Sequence, residues 1–336
     1  ILGSIGVEAS VSLIDSALKK PTSQPQETNL SSHLPESNSA FRTLSVSPAC
    51  EKSLTETIPS FSFYKIQSKE KNMSYQFPLA VCAEMLWQDK PIEWRVSKLT
   101  EMGFAVGLWN WPAHDLYKLE KTKANFSIMN GYLRGRLADD EGAAELLATA
   151  KETIVVGKRL NVDRLNLHGT GLGEGGLPVQ PCETVTGAMW LKAVDTLNRV
   201  ADLADKEGVV FALENLNLPV DHPGVPFALA EDTLALVAAV NRPNLKLNLD
   251  LYHVQIGEGN LIETCRNCLP YIGEIQVADV PGRKEPGTGE INYPKIAEAL
   301  YQMGYRGPVA MEAYASGDPE EAIEAFQKAF TIADTR

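Results

Sequence analysis

Four short stretches in the second half of the chain each close an apolar run on a side chain that can hold a cation or move a proton. They are Glu214 in ALENLN, Asp250 in NLDLYH, Gln276 in EIQVAD and Glu312 in AMEAY. The apolar residues ahead of each one draw it toward an interior, where an ionised carboxylate is costly unless it is paired or metal-bound. Three carboxylates gathered in one place repel one another and drive their pKa values up. A divalent cation removes that repulsion, and a donor set made only of oxygen favours a hard ion, Mg²⁺ or Mn²⁺, over one that prefers thiolate. Two histidines stand in comparable places: His168 closes RLNLH, and His253 follows Asp250 by three residues. Taken singly, a carboxylate at a strand end is equally well explained as a helix cap or salt-bridge partner, and a buried Gln can simply bond to backbone. The recurrence, one such residue per apolar run and in order, points to a shared site.

For these side chains to meet, the runs that carry them must lie side by side. From Met73 onward, short apolar runs alternate with longer amphipathic ones, the mark of strands followed by helices. Strands are expected at 78–86, 104–109, 126–130, 164–168, 209–214, 245–250, 272–278 and 308–313, and helices near 91–102, 113–121, 140–159, 184–207, 229–241, 259–268, 293–304 and 319–330. Asp139 and the pair Asp318-Pro319 are helix starts, and Gly103, Gly208 and Gly304 stand where helices stop. Strands this apolar are buried on both faces, as parallel strands are. Eight βα units over about 250 residues predict a (β/α)8 TIM barrel, whose chemistry sits at the C-terminal ends of the strands. An open doubly wound sheet is the alternative, but MLWQDKPIEW after the first strand lacks the glycine-rich phosphate fingerprint that such folds carry.

The first 72 residues are of another kind: rich in Ser, Thr and Pro and without sustained periodicity, they are expected to form a disordered leader or extension. All seven methionines fall at or after Met73, which marks the expected start of a single catalytic domain spanning 73–336. The leader holds equal numbers of acidic and basic residues, a poor match to a transit peptide, so the whole net charge of −12 falls on the body. An acidic body disfavours a nucleic-acid partner. No apolar run reaches the length of a membrane span. Five widely spread cysteines do not make a disulfide framework, and Cys265 and Cys268, a single CxxC in a helical pattern, suit a structural role in a reducing, cytoplasmic setting.

The stretches ALENLN, NLDLYHVQIGEGNL, IGEIQVADVPGRKEPGTGEINY and AMEAY resemble the hydroxypyruvate isomerase family of xylose-isomerase-like TIM barrels, whose relatives include ketose 3-epimerases and endonuclease IV. The resemblance covers most of 78–330 and is most specific from Gln276 to Tyr293. It implies a metal held by Glu214, Asp250, Gln276 and Glu312, with Glu214 and Glu312 also acting as the proton-transfer pair. It implies further that His253 hydrogen-bonds the substrate oxygen being polarised and that Arg283 holds the anionic end; His168 joins them as a substrate-binding residue. The chemistry implied is an aldose–ketose type isomerisation through an enediolate, converting a small hydroxy-keto acid, hydroxypyruvate, to tartronate semialdehyde. Glu285 and Glu290 are expected to fix the loop that carries Arg283 by pairing with Arg or backbone N–H groups.

The first half departs from the family pattern. HGTGLGEGGLP after the fourth strand is unusually rich in glycine and reads as an anion nest, a lid or a plain turn; Trp109-Asn-Trp111 walls a pocket or belongs to the core. These loops set the length of substrate accepted, so an epimerase, isomerase or dehydratase of a larger sugar, sugar acid or cyclic polyol is the alternative on the same scaffold. An endonuclease IV-like nuclease is the distant one, and a barrel that binds a sugar acid without turning it over is a third. A small-molecule substrate and no membrane partner complete the expectations; the sequence leaves the oligomeric state open, and an exposed apolar patch on the outer helices would point to a homo-oligomer.

Overall fold

The computed structural model describes residues 76–332, so the expected leader lies outside the described residues. Eight strands form β1 (Leu79–Cys82), β2 (Ala105–Leu108), β3 (Phe126–Asn130), β4 (Arg164–Leu167), β5 (Val210–Glu214), β6 (Leu245–Asp250), β7 (Ile272–Val277) and β8 (Val309–Met311). Each pairs in parallel with the next, and β8 returns to β1, closing the barrel. Around it lie α1 (Ile92–Glu101), α2 (Leu116–Thr122), α3 (Asp140–Leu160), α4 (Gly187–Glu207), α5 (Ala230–Val240), α6 (Leu251–Gly257), α7 (Leu261–Cys268), α8 (Tyr293–Gln302) and α9 (Pro319–Ala329). The fold is a (β/α)8 TIM barrel. No helix among the described residues is long and apolar enough to cross a membrane.

The strands are buried on both sides, but the two sides differ. The period of two that a strand imposes sends Val81, Leu165, Phe211, Leu247, Ile275 and Met311 outward into the shell of helices. The opposite set faces the lumen, with Ala80, Ala212 and Ala310 alternating with Arg164, Asn166, Asn248, Glu274 and Gln276. Low in the lumen, the fully buried Glu274 accepts hydrogen bonds from Ser127 and from Arg164 Nη1, the latter at 3.0 Å. Burial pushes the Glu274 carboxyl up, and Arg164 and Ser127 oppose the shift. The barrel therefore stands on a polar floor instead of the branched aliphatic layers usual in this fold.

The expected start and stop signals act as such. Asp139 caps α3 through Gly142 N–H, Asp318 caps α9 ahead of Pro319, and Gly208 ends α4 at φ 69°. Two boundaries differ from expectation in a way that matters for the site. Strand β4 stops one residue early and β8 two, so His168 and Glu312 are each the first residue beyond the sheet. The helix α6 begins directly after β6 with no loop between. Asp250 makes this possible: it is the last residue of the strand and also the N-cap, its Oδ1 accepting from Tyr252 N–H (2.8 Å) and His253 N–H (3.1 Å).

Candidate active site

Glu214, Asp250 and Gln276 sit at the C-terminal ends of β5, β6 and β7, and Glu312 one residue past β8. The register sets Glu214 beside Asn248 and Asp250 beside Gln276, so the expected ligands come from consecutive strands of the barrel. Glu214 Oε2 accepts from Asn166 Nδ2 and lies 2.9 Å from His168 Nε2. Asp250 gives Oδ1 to the start of α6, while its Oδ2 lies 3.7 Å from His253 Nε2 and 4.0 Å from Arg283 Nη2. Gln276 Oε1 accepts from Asn248 Nδ2 at 2.8 Å, and that same amide donates to Asn166 Oδ1 at 3.1 Å. A hydrogen-bonded row, Glu214–Asn166–Asn248–Gln276, thus runs across the lumen and fixes two of the four expected ligands together.

Arg283 enters from the loop after β7. Its Nη2 lies 3.4 Å from Glu312 Oε1 and 4.0 Å from Asp250 Oδ2, and its guanidinium stands over the Tyr252 ring at 5.1 Å. Burial disfavours the charge, but Glu312, Asp250 and Glu214 outweigh it and hold the guanidinium protonated. The loop that aims it is built around Asp279, a fully buried residue whose Oδ1 accepts from the N–H groups of Val280 and Ile291 (both 3.0 Å) and whose Oδ2 accepts from Gly287 N–H (2.8 Å). Gly289 is required where the loop folds back, since a Cβ there would lie 2.1 Å from the Val280 carbonyl. Glu285 ties the loop to the segment after β8 through the backbone N–H and hydroxyl of Ser316, as the expected anchoring to backbone foresaw. Glu290 bonds to Gln255 Nε2 at 3.0 Å, not to an arginine.

Several residues of the site carry no mark that singles them out in sequence. Asn215 grips the backbone of Asp250 from both ends of its amide, donating to the carbonyl (3.0 Å) and accepting from the N–H (2.9 Å). Asn217 is fully buried and bonds to His253 Nδ1 at 2.7 Å. Glu84, just past β1, accepts from the N–H groups of Trp109 (2.8 Å) and Asn110 (2.7 Å) and lies 3.2 Å from His114 Nε2. Strand parity was the available signal for Asn166 and Asn248, two residues before His168 and Asp250 and therefore on the same face.

Other expectations fall outside the cluster. In the glycine-rich loop, the N–H groups of Gly171, Gly173, Gly176 and Val179 bond to Gly135, Leu177, Gly173 and Gly171 carbonyls, so they do not form an anion nest. Trp111 is buried and donates to the Asn130 carbonyl, while Trp109 is half exposed. Cys265 and Cys268 are unbridged and buried in α7, and burial raises each thiol to about 12, which leaves them without thiolate character.

The electrostatics favour a cation. Burial lifts the Asp250 carboxyl to about 7 and Glu312 well above the usual range, with Arg283 opposing and the neighbouring carboxylates reinforcing the rise. Burial would raise Glu214 too, but His168, Asn166 and Arg283 prevail and hold it below the ordinary carboxylate value. Glu312 Oε2 is buried with no hydrogen-bond partner. Three carboxylates face one guanidinium, an excess of negative charge that fits a divalent ion. Among the described residues, Glu214, Asp250 and His253 also offer ligand atoms within 4.8 Å of one another.

Residues 114–331 match the family model described as xylose isomerase-like TIM barrel. A human protein named putative hydroxypyruvate isomerase is 32% identical over 174 residues, covering 52% of this chain and 61% of the relative. A 2-oxo-tetronate isomerase from Pectobacterium atrosepticum is 35% identical over 130 residues, covering 39% of this chain and 49% of the relative. The matched part of the chain thus spans roughly half to three fifths of these relatives' lengths. Among solved structures, an AP endonuclease of family 2 from Brucella melitensis superposes with a TM-score of 0.65 at 25% identity, covering 74% of this chain and 98% of its own.

Proposed function

The chain belongs to the xylose isomerase-like TIM barrel family, and from that premise we propose that it is a metal-assisted isomerase of a small hydroxy-keto acid, converting hydroxypyruvate to tartronate semialdehyde through an enediolate. The observation that carries the reading is that the charges of Glu214, Asp250 and Glu312 all act on one guanidinium, Arg283, whose Nη2 lies 3.4 Å from Glu312 Oε1. Glu214, Asp250, Gln276 and Glu312 would hold a hard divalent cation, Mg²⁺ or Mn²⁺, which when bound supplies positive charge for the two oxygens of the enediolate.

The chain's own residues account for the rest. One glutamate takes the proton from C3 and the other delivers a proton to C2. Their surroundings suit a division of labour, since Glu214 is held below the usual carboxylate range and Glu312 above it. His253 meets the carbonyl oxygen with Nε2. Arg283 exchanges its contact with Glu312 for the substrate carboxylate, which matches a guanidinium in two-point geometry. The polar row of Asn166 and Asn248 keeps Glu214 and Gln276 from relaxing away when the substrate binds.

The relatives' names support this class of substrate and favour one alternative within it, a four-carbon 2-oxo acid such as 2-oxo-tetronate. The test is deuterium uptake from D₂O at C3 of hydroxypyruvate, followed by NMR with Mg²⁺ or Mn²⁺ and then with EDTA. Uptake is expected with metal, and a fall of at least about 10²-fold in Glu214→Gln and in Glu312→Gln. If uptake appears only with 2-oxo-tetronate, the longer acid is the substrate. If no keto acid or keto sugar exchanges above buffer, the isomerase reading is wrong.

A further inference from the structure

Both asparagines of the ENLN stretch serve β6 and α6, and the second does something the proposed chemistry leaves unexplained. Asn217 uses every hydrogen bond its amide can make. Oδ1 accepts from Val220 N–H (3.1 Å) and Asp221 N–H (3.0 Å). Nδ2 reaches Asp221 Oδ2 (2.5 Å) and His253 Nδ1 (2.7 Å). The two backbone donors fix which end of the amide is oxygen. Turning the amide over would set its oxygen against the Asp221 carboxylate and its NH₂ against two backbone N–H groups, losing the three bonds to Val220 and Asp221 while only the contact with His253 could be remade.

The nitrogen end of Asn217 therefore faces His253 Nδ1, and an N–H can only donate to a ring nitrogen that holds a lone pair. His253 is 1% exposed, and a ring that accepts a hydrogen bond at Nδ1 is not the imidazolium, which has no lone pair on either nitrogen, so the ring is neutral. A neutral imidazole with a lone pair on Nδ1 carries its proton on Nε2. That atom is buried without a hydrogen-bond partner and is 3.7 Å from Asp250 Oδ2.

We propose that Asn217 is a positioning residue that locks His253 in the Nε2–H tautomer, so that His253 meets the pocket as a hydrogen-bond donor and is excluded as a metal ligand. Proximity alone would allow ligation by His253, since a ring nitrogen falls within 4.8 Å of ligand oxygens of Glu214 and Asp250 and Nε2 is 3.7 Å from Asp250 Oδ2. The surroundings run the other way. A metal-bound histidine ordinarily donates its second N–H to a carboxylate or carbonyl, whereas His253 Nδ1 receives a hydrogen bond. A donor fixed at Nε2 is what a developing oxyanion at C2 needs. The consequence for turnover rests on the isomerase reading; the tautomer does not.

The test is a long-range ¹H–¹⁵N spectrum of protein labelled with ¹⁵N-histidine, with the His253 ring assigned by its absence in His253→Gln. In the metal-free wild type we expect a protonated Nε2 and a bare Nδ1, unchanged on adding Mg²⁺. In Asn217→Asp the second carboxylate oxygen faces the ring and calls for a proton on Nδ1, so the Nδ1 signal should move to its protonated position. Asn217→Leu, which introduces no buried charge, should leave a mixture of tautomers. A bare Nε2 in the wild type, or its loss of the proton with Mg²⁺, would overturn the proposal. In turnover of whichever keto acid the wild type exchanges, Asn217→Asp should lower kcat by about 10²-fold with KM within about threefold, the pattern of a lost oxyanion donor. A kcat within threefold of wild type would remove the catalytic consequence. If wild-type protein exchanges no substrate yet shows the Nε2–H tautomer, the functional reading fails and the lock stands.

Discussion

Arg283 adopts φ 53°, in the left-handed region that a non-glycine residue seldom occupies. Its carbonyl accepts from Tyr314 N–H and its guanidinium lies among Glu312, Asp250 and the Tyr252 ring, so both ends are held against that conformational cost. Lysine at this position would keep the charge and lose the planar fork, since an ammonium is a point charge with no two-point match to a carboxylate. Arg283→Lys is expected to raise KM for hydroxypyruvate by about 10–100-fold, the worth of one charge-assisted hydrogen bond, and to change KM for a neutral ketose by less than about threefold. Steady-state kinetics on the two substrates check it, and equal losses on both would remove the carboxylate role. Arginine's place in the loop was legible because PGRKEPGTGE sets a cation among turn residues directly after a strand. The amide of Asn217 was not legible, because its ring partner is 36 residues away and an asparagine in isolation reads equally well as a turn or cap, and only strand parity marked Asn166 and Asn248.

At the scale of elements, the strand ends set the site and the loop after β7 aims it. Asp279 gathers three backbone N–H groups from across that loop, so it acts on Arg283 without touching it. Asp279→Asn keeps the size and replaces one acceptor oxygen with an NH₂ that faces an N–H. A loss of about 1–3 kcal/mol in stability is expected, with faster amide exchange at Gly287 and Ile291 and a lower kcat/KM. Unchanged protection at both amides would mean that the loop is held by other contacts. The eight-strand order was readable from periodicity because each outward face is apolar without interruption. The α6 helix was not, because NLDLYHVQIG passes from strand to helix with no Gly or Pro between, and one residue, Asp250, closes the first and caps the second. The polar lumen was visible in principle from the inward residues of each strand, but a mean apolar character hides it.

For the whole molecule, the same carboxylates make stability depend on pH and metal together. Asp250 rises from 3.8 to about 7 in the fold because burial disfavours its charge, and Glu312 shifts the same way for the same reason. The folded state thus binds these protons more tightly than the unfolded chain does. The contribution of Asp250 is complete below about pH 4 and is lost as pH rises through about 7, and that of Glu312 has the same sign. Glu214 has the opposite sign: its carboxyl is lowered from 4.5, so its contribution is present above that value and is lost only in stronger acid. Between pH 5.5 and 8.5 Asp250 therefore sets the slope, and the metal-free protein should melt at progressively lower temperature as pH rises. A divalent ion needs the ionised carboxylates and competes with the protons, so the rise in Tm that it brings should grow over the same range. Thermal melts at pH 5.5, 7.0 and 8.5, with EDTA and with millimolar Mg²⁺ or Mn²⁺, check both halves. Asp250→Asn should flatten the EDTA curve by removing the group that titrates near 7 and should reduce the metal-induced shift. A metal-induced shift that is the same at all three pH values would show that the ion does not bind at these carboxylates.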